Sequence, residues 1–499
     1  MTASFPETIP ALLAWRARER TDEAKKPWLF FEGATWTLED VRAEVDRYAV
    51  GLAERGVVHG DRVGILLGNR PETIFAWFAA NHLGAIAMPL NPAHKAPELA
   101  GVLQVVAPRV VVVVPGSAER SLLDAACAEL DETKRPELVG PDALARAGSG
   151  APSVVVRPDD VAVLLATSGT TGAPKAVMQT HRTYTLTAEA FPSWIGLTED
   201  DRVLVALPLF HINAQAYSVM GALGCGGSLA LMPRFSASRF WDQARALGAT
   251  QFNAVGAIVN ILLSSEPRSS DRGHGVRLCY AALALPEERH RAFEERFGLA
   301  MTVGYGLSET TFGTVWPRSA PPRYGTMGTL RQHPRLGAIN RARVVTDDGR
   351  DAADGEAGEM WLDSPGMMRG YWPEATPHSG WFHTGDIVRR DAEGFFTFVA
   401  RKKDVIRRRG ENVAAAEIEN VLAAHPAIHE AAVVGVPAAL GEEDIVAYVV
   451  AAPGATVDVE ALREWARARL ADFKVPSQIH VRDALPRTAT ERIAKHLLR

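Results

Sequence analysis

Apolar positions along the chain alternate between two spacings. Over Leu38–Arg55 they recur at helical spacing and predict an amphipathic helix. Residues 61–67, around Val63, Ile65 and Leu66, follow as a strand. Pro71–Leu83 reads as a helix, and 85–89 (Ala85-Ile86-Ala87-Met88-Pro89) as a buried strand. Val110–Pro115 and Val161–Ala166 are further buried strands. Continuous apolar runs of strand length, separated by helices, predict parallel sheets covered on both faces. Near the C-terminus the pattern tightens. Ala414–Ala424 is helical with Ile418, Val421 and Leu422 on one face. Ala431–Val436 and Ile445–Val450 are strands, Val459–Leu470 is a helix, and Ile479–Arg482 is a short strand. The predicted class is α/β: a large N-terminal domain of layered sheets and helices, residues 1–401, and a small α+β domain, residues 402–499. The join falls in the charged run Arg401-Lys402-Lys403-Asp404, which is an ordinary solvated surface or a hinge.

With 499 residues the chain exceeds one ordinary core, in agreement with this division. A hydrophobic share of 47%, a charged share of 23% and a net charge of −5 describe a soluble globular protein with no basic face for nucleic acid. No apolar run approaches the ~20 residues that span a bilayer, and the N-terminus, Met1-Thr2-Ala3-Ser4-Phe5-Pro6, lacks a basic-then-apolar leader pattern. The three cysteines, Cys127, Cys225 and Cys279, are odd in number and widely separated, so all read as buried small hydrophobes in a reducing, cytoplasmic setting. A homo-oligomer is compatible with this composition.

The segment richest in chemistry is Thr167-Ser168-Gly169-Thr170-Thr171-Gly172-Ala173-Pro174-Lys175, directly after the strand Val161–Ala166. Glycines let backbone N–H groups approach phosphate oxygens, hydroxyls add neutral donors, and Lys175 adds charge. A hydroxyl- and glycine-rich loop alone is more often a turn, and this one departs from the GxxxxGK[ST] loop because Pro174 precedes the lysine. The full run resembles the phosphate-binding signature of the adenylate-forming superfamily of acyl-CoA synthetases, adenylation domains and luciferases.

Further segments occur in that superfamily's order. In Gly304-Tyr305-Gly306-Leu307-Ser308-Glu309-Thr310 the resemblance implies adenine stacking by Tyr305, phosphate contact by Ser308 and Mg2+ binding by Glu309. An aromatic face suits a purine, and a carboxylate suits a hard cation already bound to phosphate. Gly380-Trp381-Phe382-His383-Thr384-Gly385-Asp386 places Asp386 as a ribose ligand, which Arg401 also reaches, and Lys403 falls at the superfamily's hinge. Pro208-Leu209-Phe210-His211-Ile212-Asn213 sets His211 beside the acid pocket; a histidine satisfied in a core is the plain alternative. The stretches around Arg234-Phe235-Ser236-Ala237 and Arg408–Val413 are similar to the carnitine/crotonobetaine-CoA ligase-like branch.

The implied reaction is ATP-dependent activation of a small acid as its AMP anhydride, release of pyrophosphate, and transfer to a second nucleophile, by default coenzyme A. The small domain is expected to move between the two steps. Three departures stand out. The terminal motif ends Pro486-Arg487-Thr488-Ala489-Thr490-Glu491-Arg492, so Arg492 occupies the catalytic lysine position, with Lys495 about one helical turn on. Either Arg492 acts in place of the lysine, or Lys495 does, or adenylation is weakened. In Tyr280-Ala281-Ala282-Leu283-Ala284-Leu285-Pro286, Ala281 and Leu283 replace small or glycine positions of the superfamily's pocket wall, to which Ala282 and Gly304 are also assigned, and this predicts a shallow acid pocket; Leu283 facing the core is the plain alternative. The carboxylate-free alternative is adenylation of nitrous acid with transfer to an aromatic amine, as in ATP-dependent diazotases; another is a nucleotide-binding relative that has lost catalysis. The spacing between Gly370-Tyr371-Trp372 and Gly380-Trp381 is shorter than the superfamily's usual one.

Overall fold

The computed structural model describes residues 4–18, 25–145, 150–167, 175–282, 284–374, 379–408, 411–438, 443–487 and 493–498. Its contacts divide the chain into two compact units, residues 1–341 with 363–380, and residues 342–362 with 381–499.

In the first unit the helix Leu38–Glu54 begins where Thr37 and Asp40 form a capping box. Thr37 Oγ1 accepts from the Asp40 N–H at 3.1 Å, and the Asp40 carboxylate accepts from the Thr37 N–H at 2.9 Å. Its stripe of Val41, Val45, Tyr48 and Leu52 is buried. The helix Pro71–His82 starts on its proline and is buried at nearly every position. The strands Arg62–Leu66, Ile86–Pro89, Val110–Val113 and Glu137–Val139 pair in parallel. All four valines of Val110–Val113 are fully buried, each adding about 1.5–3 kcal/mol of transfer free energy. The sheet has seven strands, and Val161–Thr167 also joins it in parallel with Ile86–Pro89. The expectation of purely parallel pairing fails on its other side, where Val161–Thr167 runs antiparallel to Lys175–Thr180, and that strand antiparallel to Gly370–Trp372. The connection 168–174 is too short for a parallel crossover, which needs about a dozen residues or more.

A second, nine-stranded sheet completes this unit. Its strands Arg202–Val205, Gln251–Val255, Leu278–Ala282 and Ala300–Leu307 are parallel neighbours, and Thr310–Val315 then folds back antiparallel on Ala300–Leu307. The cysteines divide: Cys127 and Cys279 are buried, but Cys225 is partly exposed, because it ends the helix Met220–Cys225 just before the left-handed Gly226.

In the second unit, Arg341–Val345, Ala357–Asp363, Phe382–Arg390 and Phe396–Arg401 form a four-stranded sheet. The charged run follows as a short 3-10 turn, Lys402–Asp404, leading into the hairpin of Val405–Arg408 and Glu411–Ala414. The sequence-based boundary near residue 401 thus falls inside this unit. Beyond it, the helix Ala415–Ala423 and the helix Val459–Arg467, capped by Asp458, pack with the sheet Ile428–Pro437, Glu443–Ala451 and Gln478–Arg482 around Ile418, Leu422, Val433, Ile445 and Leu462. No helix among the described residues is long and apolar enough to cross a membrane.

Close backbone approach sets one testable constraint. A Cβ on Gly313 would lie 2.1 Å from the Tyr305 carbonyl oxygen across the antiparallel pair. Gly313→Ala is therefore expected to force these strands apart at a cost of about 1–3 kcal/mol, seen as a lower urea midpoint; an unchanged midpoint would contradict the packing.

Candidate active site

Lys175 opens the strand Lys175–Thr180, whose neighbour Gly370–Trp372 sets Tyr371 opposite Val177. The Lys175 ammonium lies 5.2 Å from the centre of the Tyr371 ring. The Tyr371 hydroxyl donates to Glu309 Oε1 at 3.0 Å. The same two segments hold the Ser308-Glu309 turn: Gln179 Nε2 donates to the Ser308 carbonyl at 2.6 Å, and the Met368 N–H to the Glu309 carbonyl at 2.7 Å. Burial, reinforced by the Glu309 charge, pushes the Tyr371 phenol well up, so it stays protonated and remains a donor. Of the expected phosphate loop, Ser168, Gly169, Thr170, Thr171 and Gly172 lie outside the described residues, as does the side chain of Thr167, whose backbone ends its strand.

Tyr305 sits near the C-terminal end of Ala300–Leu307, partly exposed and paired with Thr314. Ligands of open α/β sheets gather at the C-terminal ends of the strands. Three other expected residues follow this rule. Ala281, buried, and Ala282, exposed, close the strand Leu278–Ala282, while the partly exposed His211 follows Arg202–Val205. The His211 ring centre lies 4.4 Å from that of Phe210, and its carbonyl receives the Gln215 N–H at 3.2 Å as the π-helical turn Asn213–Val219 begins. Leu283 lies outside the described residues.

Beneath this strand is a group that sequence reasoning missed. Arg331 is wholly buried. Its Nε donates to the Thr314 carbonyl at 3.0 Å, and its Nη1 to the Tyr217 hydroxyl and the Thr311 carbonyl, both at 2.6 Å; Nη2 donates to the Tyr280 hydroxyl. Its guanidinium carbon is 4.9 Å from the ring centres of Trp194 and Tyr217. A Cβ on Gly304 would meet the Tyr280 hydroxyl at 2.5 Å, and one on Gly306 the Tyr217 hydroxyl at 2.8 Å. These two glycines let the strand that carries Tyr305 lie directly on the phenols. A second polar chain runs through the same sheet: Gln251 Nε2 donates to Asn253 Oδ1 at 2.7 Å and Asn253 Nδ2 to Asn213 Oδ1 at 2.8 Å, all three side chains buried. Its signal was two amides inside an otherwise apolar strand.

The second unit brings together both expected ribose residues. Asp386 and Arg401 face one another in register, and Arg401 Nε lies 2.8 Å from Oδ1 of the fully buried Asp386 carboxylate. Next to them, Glu359 accepts from Lys402 Nζ at 2.9 Å and from the Gly385 N–H at 3.1 Å. Burial alone would raise the Glu359 carboxyl, but the ammonium and the backbone donor overcome it and hold the group below the usual range. Lys403 lies in the Lys402–Asp404 turn, and its side chain is outside the described set. Arg492 also lies outside the described residues. Its flanks are joined by a bridge between Arg487 and Ile493, and the Ala494 N–H donates to the Pro486 carbonyl at 2.7 Å. Lys495 Nζ lies 2.6 Å from Glu419 Oε1, an oxygen that also accepts the Val433 N–H at 2.7 Å. Among the described residues no group of three or more His, Cys, Asp or Glu side chains is arranged to hold a metal, so Glu309 stands as a single carboxylate.

The chain is similar to known proteins along nearly its whole length. Residues 14–372 match the AMP-binding enzyme family and residues 417–492 its C-terminal domain. The crotonobetaine/carnitine–CoA ligase of Salmonella arizonae is 34% identical over 95% of this chain and 96% of its own length. Among solved structures, ATP-bound MatB from Rhodopseudomonas palustris superposes with a TM-score of 0.86 at 28% identity, covering 98% of each chain. The O-succinylbenzoate coenzyme A synthetase of Bacillus subtilis, in complex with ATP and magnesium, gives 0.84 at 27% identity and the same coverage. The nitrite-adenylating alternative draws no support from these relatives. The motifs, the two-unit architecture and the family matches therefore agree: the chain belongs to the AMP-binding enzyme family and is an adenylate-forming ligase.

Proposed function

We propose that the protein activates a small carboxylic acid with ATP and transfers the acyl group to coenzyme A. The observation that carries this reading is the convergence of Lys175 and Glu309 on one side chain, Tyr371. A polyphosphate requires a cation, and a phosphate-bound metal requires a carboxylate; here the two are fixed together. A single oxygen-donor carboxylate fits magnesium, which keeps most of its shell as water and phosphate oxygen. When bound, the ion would neutralise charge on the phosphates.

The acid's carboxylate oxygen attacks the α-phosphorus of ATP, the bond to the bridging β-phosphate oxygen breaks, and pyrophosphate departs with its electron pair. Lys175, the Thr167–Gly172 loop and Ser308 supply donors to the phosphates. Tyr305 offers a face for adenine, and the Asp386 carboxylate, held by Arg401, accepts from the ribose hydroxyls. In the second step the thiolate of coenzyme A attacks the acyl carbon and AMP leaves. The CoA ligase and CoA synthetase names of the relatives support this acceptor. His211, Ala281, Ala282 and Leu283 are proposed to line the acid pocket. The phenols and guanidinium packed under Gly304 and Gly306 fill volume there, which supports a small acid. The free cysteines support a reducing, cytoplasmic setting, and the Lys402–Asp404 turn is the proposed hinge.

Pyrophosphate release across short, branched, aryl and long-chain carboxylates and nitrite, with and without coenzyme A, tests the reading. Release with a small carboxylate followed by a CoA thioester is expected. Robust turnover of a long-chain acid would overturn the pocket assignment, and silence with every acid would overturn the reaction.

Lys495 is already committed to Glu419, which supports Arg492 as the second cation on the transferred phosphate. Arg492→Ala is expected to slow adenylation on the order of 100-fold, whereas Lys495→Ala, read in the same assay, should chiefly lower stability. Equal slowing by the two variants would refute this assignment.

A further inference from the structure

We infer that Tyr371 is a positioning residue that sets the metal-binding carboxylate and the phosphate-binding ammonium in one fixed relation; this rests on the functional reading above. Tyr371 comes from a segment far from both partners in sequence, yet strand pairing delivers it to them. Trp372 pairs with Ala176 and Tyr371 with Val177, so the ring falls beside Lys175, the first residue of that strand. The ring accepts the ammonium over its face at 5.2 Å. Its hydroxyl donates to Oε1 of Glu309 at 3.0 Å. Among the described residues this is the one hydrogen bond the Glu309 carboxylate receives. A short turn carries Glu309, and its backbone is already tied down through the Ser308 and Glu309 carbonyls. What remains to be fixed is the rotation of the carboxylate itself, and a phenol with two torsions does this at little entropic cost. One rigid side chain therefore directs the carboxylate and also contacts the lysine charge.

The two contacts can be separated. Tyr371→Phe keeps the ring face and deletes the hydroxyl; Tyr371→Leu deletes both. Binding of ATP is measured by calorimetry with EDTA and with saturating Mg2+, and the magnesium concentration for half-maximal pyrophosphate release is measured alongside. For Tyr371→Phe, metal-free ATP affinity and the KM for the acid should match the unaltered protein. The gain in affinity conferred by Mg2+ should fall roughly tenfold, and half-activation should move to a correspondingly higher Mg2+ concentration. Tyr371→Leu should in addition weaken metal-free ATP binding. A Phe variant with an unchanged Mg2+ response overturns the positioning role. So does one that weakens ATP equally with and without metal, since a merely structural role would do that. Failure of the unaltered protein to bind ATP would instead overturn the functional reading beneath it.

Discussion

The first unit depends on one seam, the stretch 363–372, which is pinned on two sides. Gly370–Trp372 extends the seven-stranded sheet through Lys175–Thr180, while Met367 and Met368 bond to Thr310 and Glu309 beside the nine-stranded sheet. Backbone hydrogen bonds are directional and hard to leave unmade in a buried place. They join the two sheets into one frame. The Lys175, Tyr371 and Glu309 side chains are consequences of that frame, since each stands on a strand or turn that the seam holds.

Buried charge in the second unit is handled by pairing at short range. The second unit buries the Asp386 carboxylate completely but sets Arg401 against it, and its neighbour Glu359 is held ionised by Lys402 and a backbone N–H. A buried carboxylate without such partners would take up a proton instead. The proposed ribose contact thus has its guanidinium partner already beside the carboxylate.

Much of this was legible along the chain because the signals were local. Val110–Val113, Arg62–Leu66 and the helix after Thr37 are specified by short-range pattern and capping, and their boundaries moved by only a residue or two in the structure. The motif residues Lys175, Tyr305, Glu309, Asp386 and Arg401 were named from their neighbours in sequence. What could not be read was relation at a distance. Tyr371 in Gly370-Tyr371-Trp372 has no chemistry of its own until register sets it between a lysine and a carboxylate. Arg331, in Leu330-Arg331-Gln332, has the look of a solvated surface residue, because arginine is mostly exposed; its burial follows from two glycines and Tyr280 in other strands and from Tyr217 in the π-helical turn. The antiparallel pairing of Val161–Thr167 with Lys175–Thr180 was missed because apolar content reports burial of a strand and says nothing of its direction.

The buried guanidinium also constrains how the protein can change over generations. Among the described residues Arg331 has phenols and carbonyls for partners and forms no carboxylate pair, and it cannot shed its proton. Among the described residues, loss of Arg331 would strand the Tyr280 hydroxyl and loss of Tyr280 the Arg331 Nη2 in a dry interior, whereas Tyr217 and Arg331 Nη1 would each keep the Thr311 carbonyl. Descendants must therefore inherit positions 280 and 331 together or exchange them together, while Tyr217 is tied to them less strictly. A comparison of relatives would do well to read positions 280 and 331 jointly, as a single two-letter word.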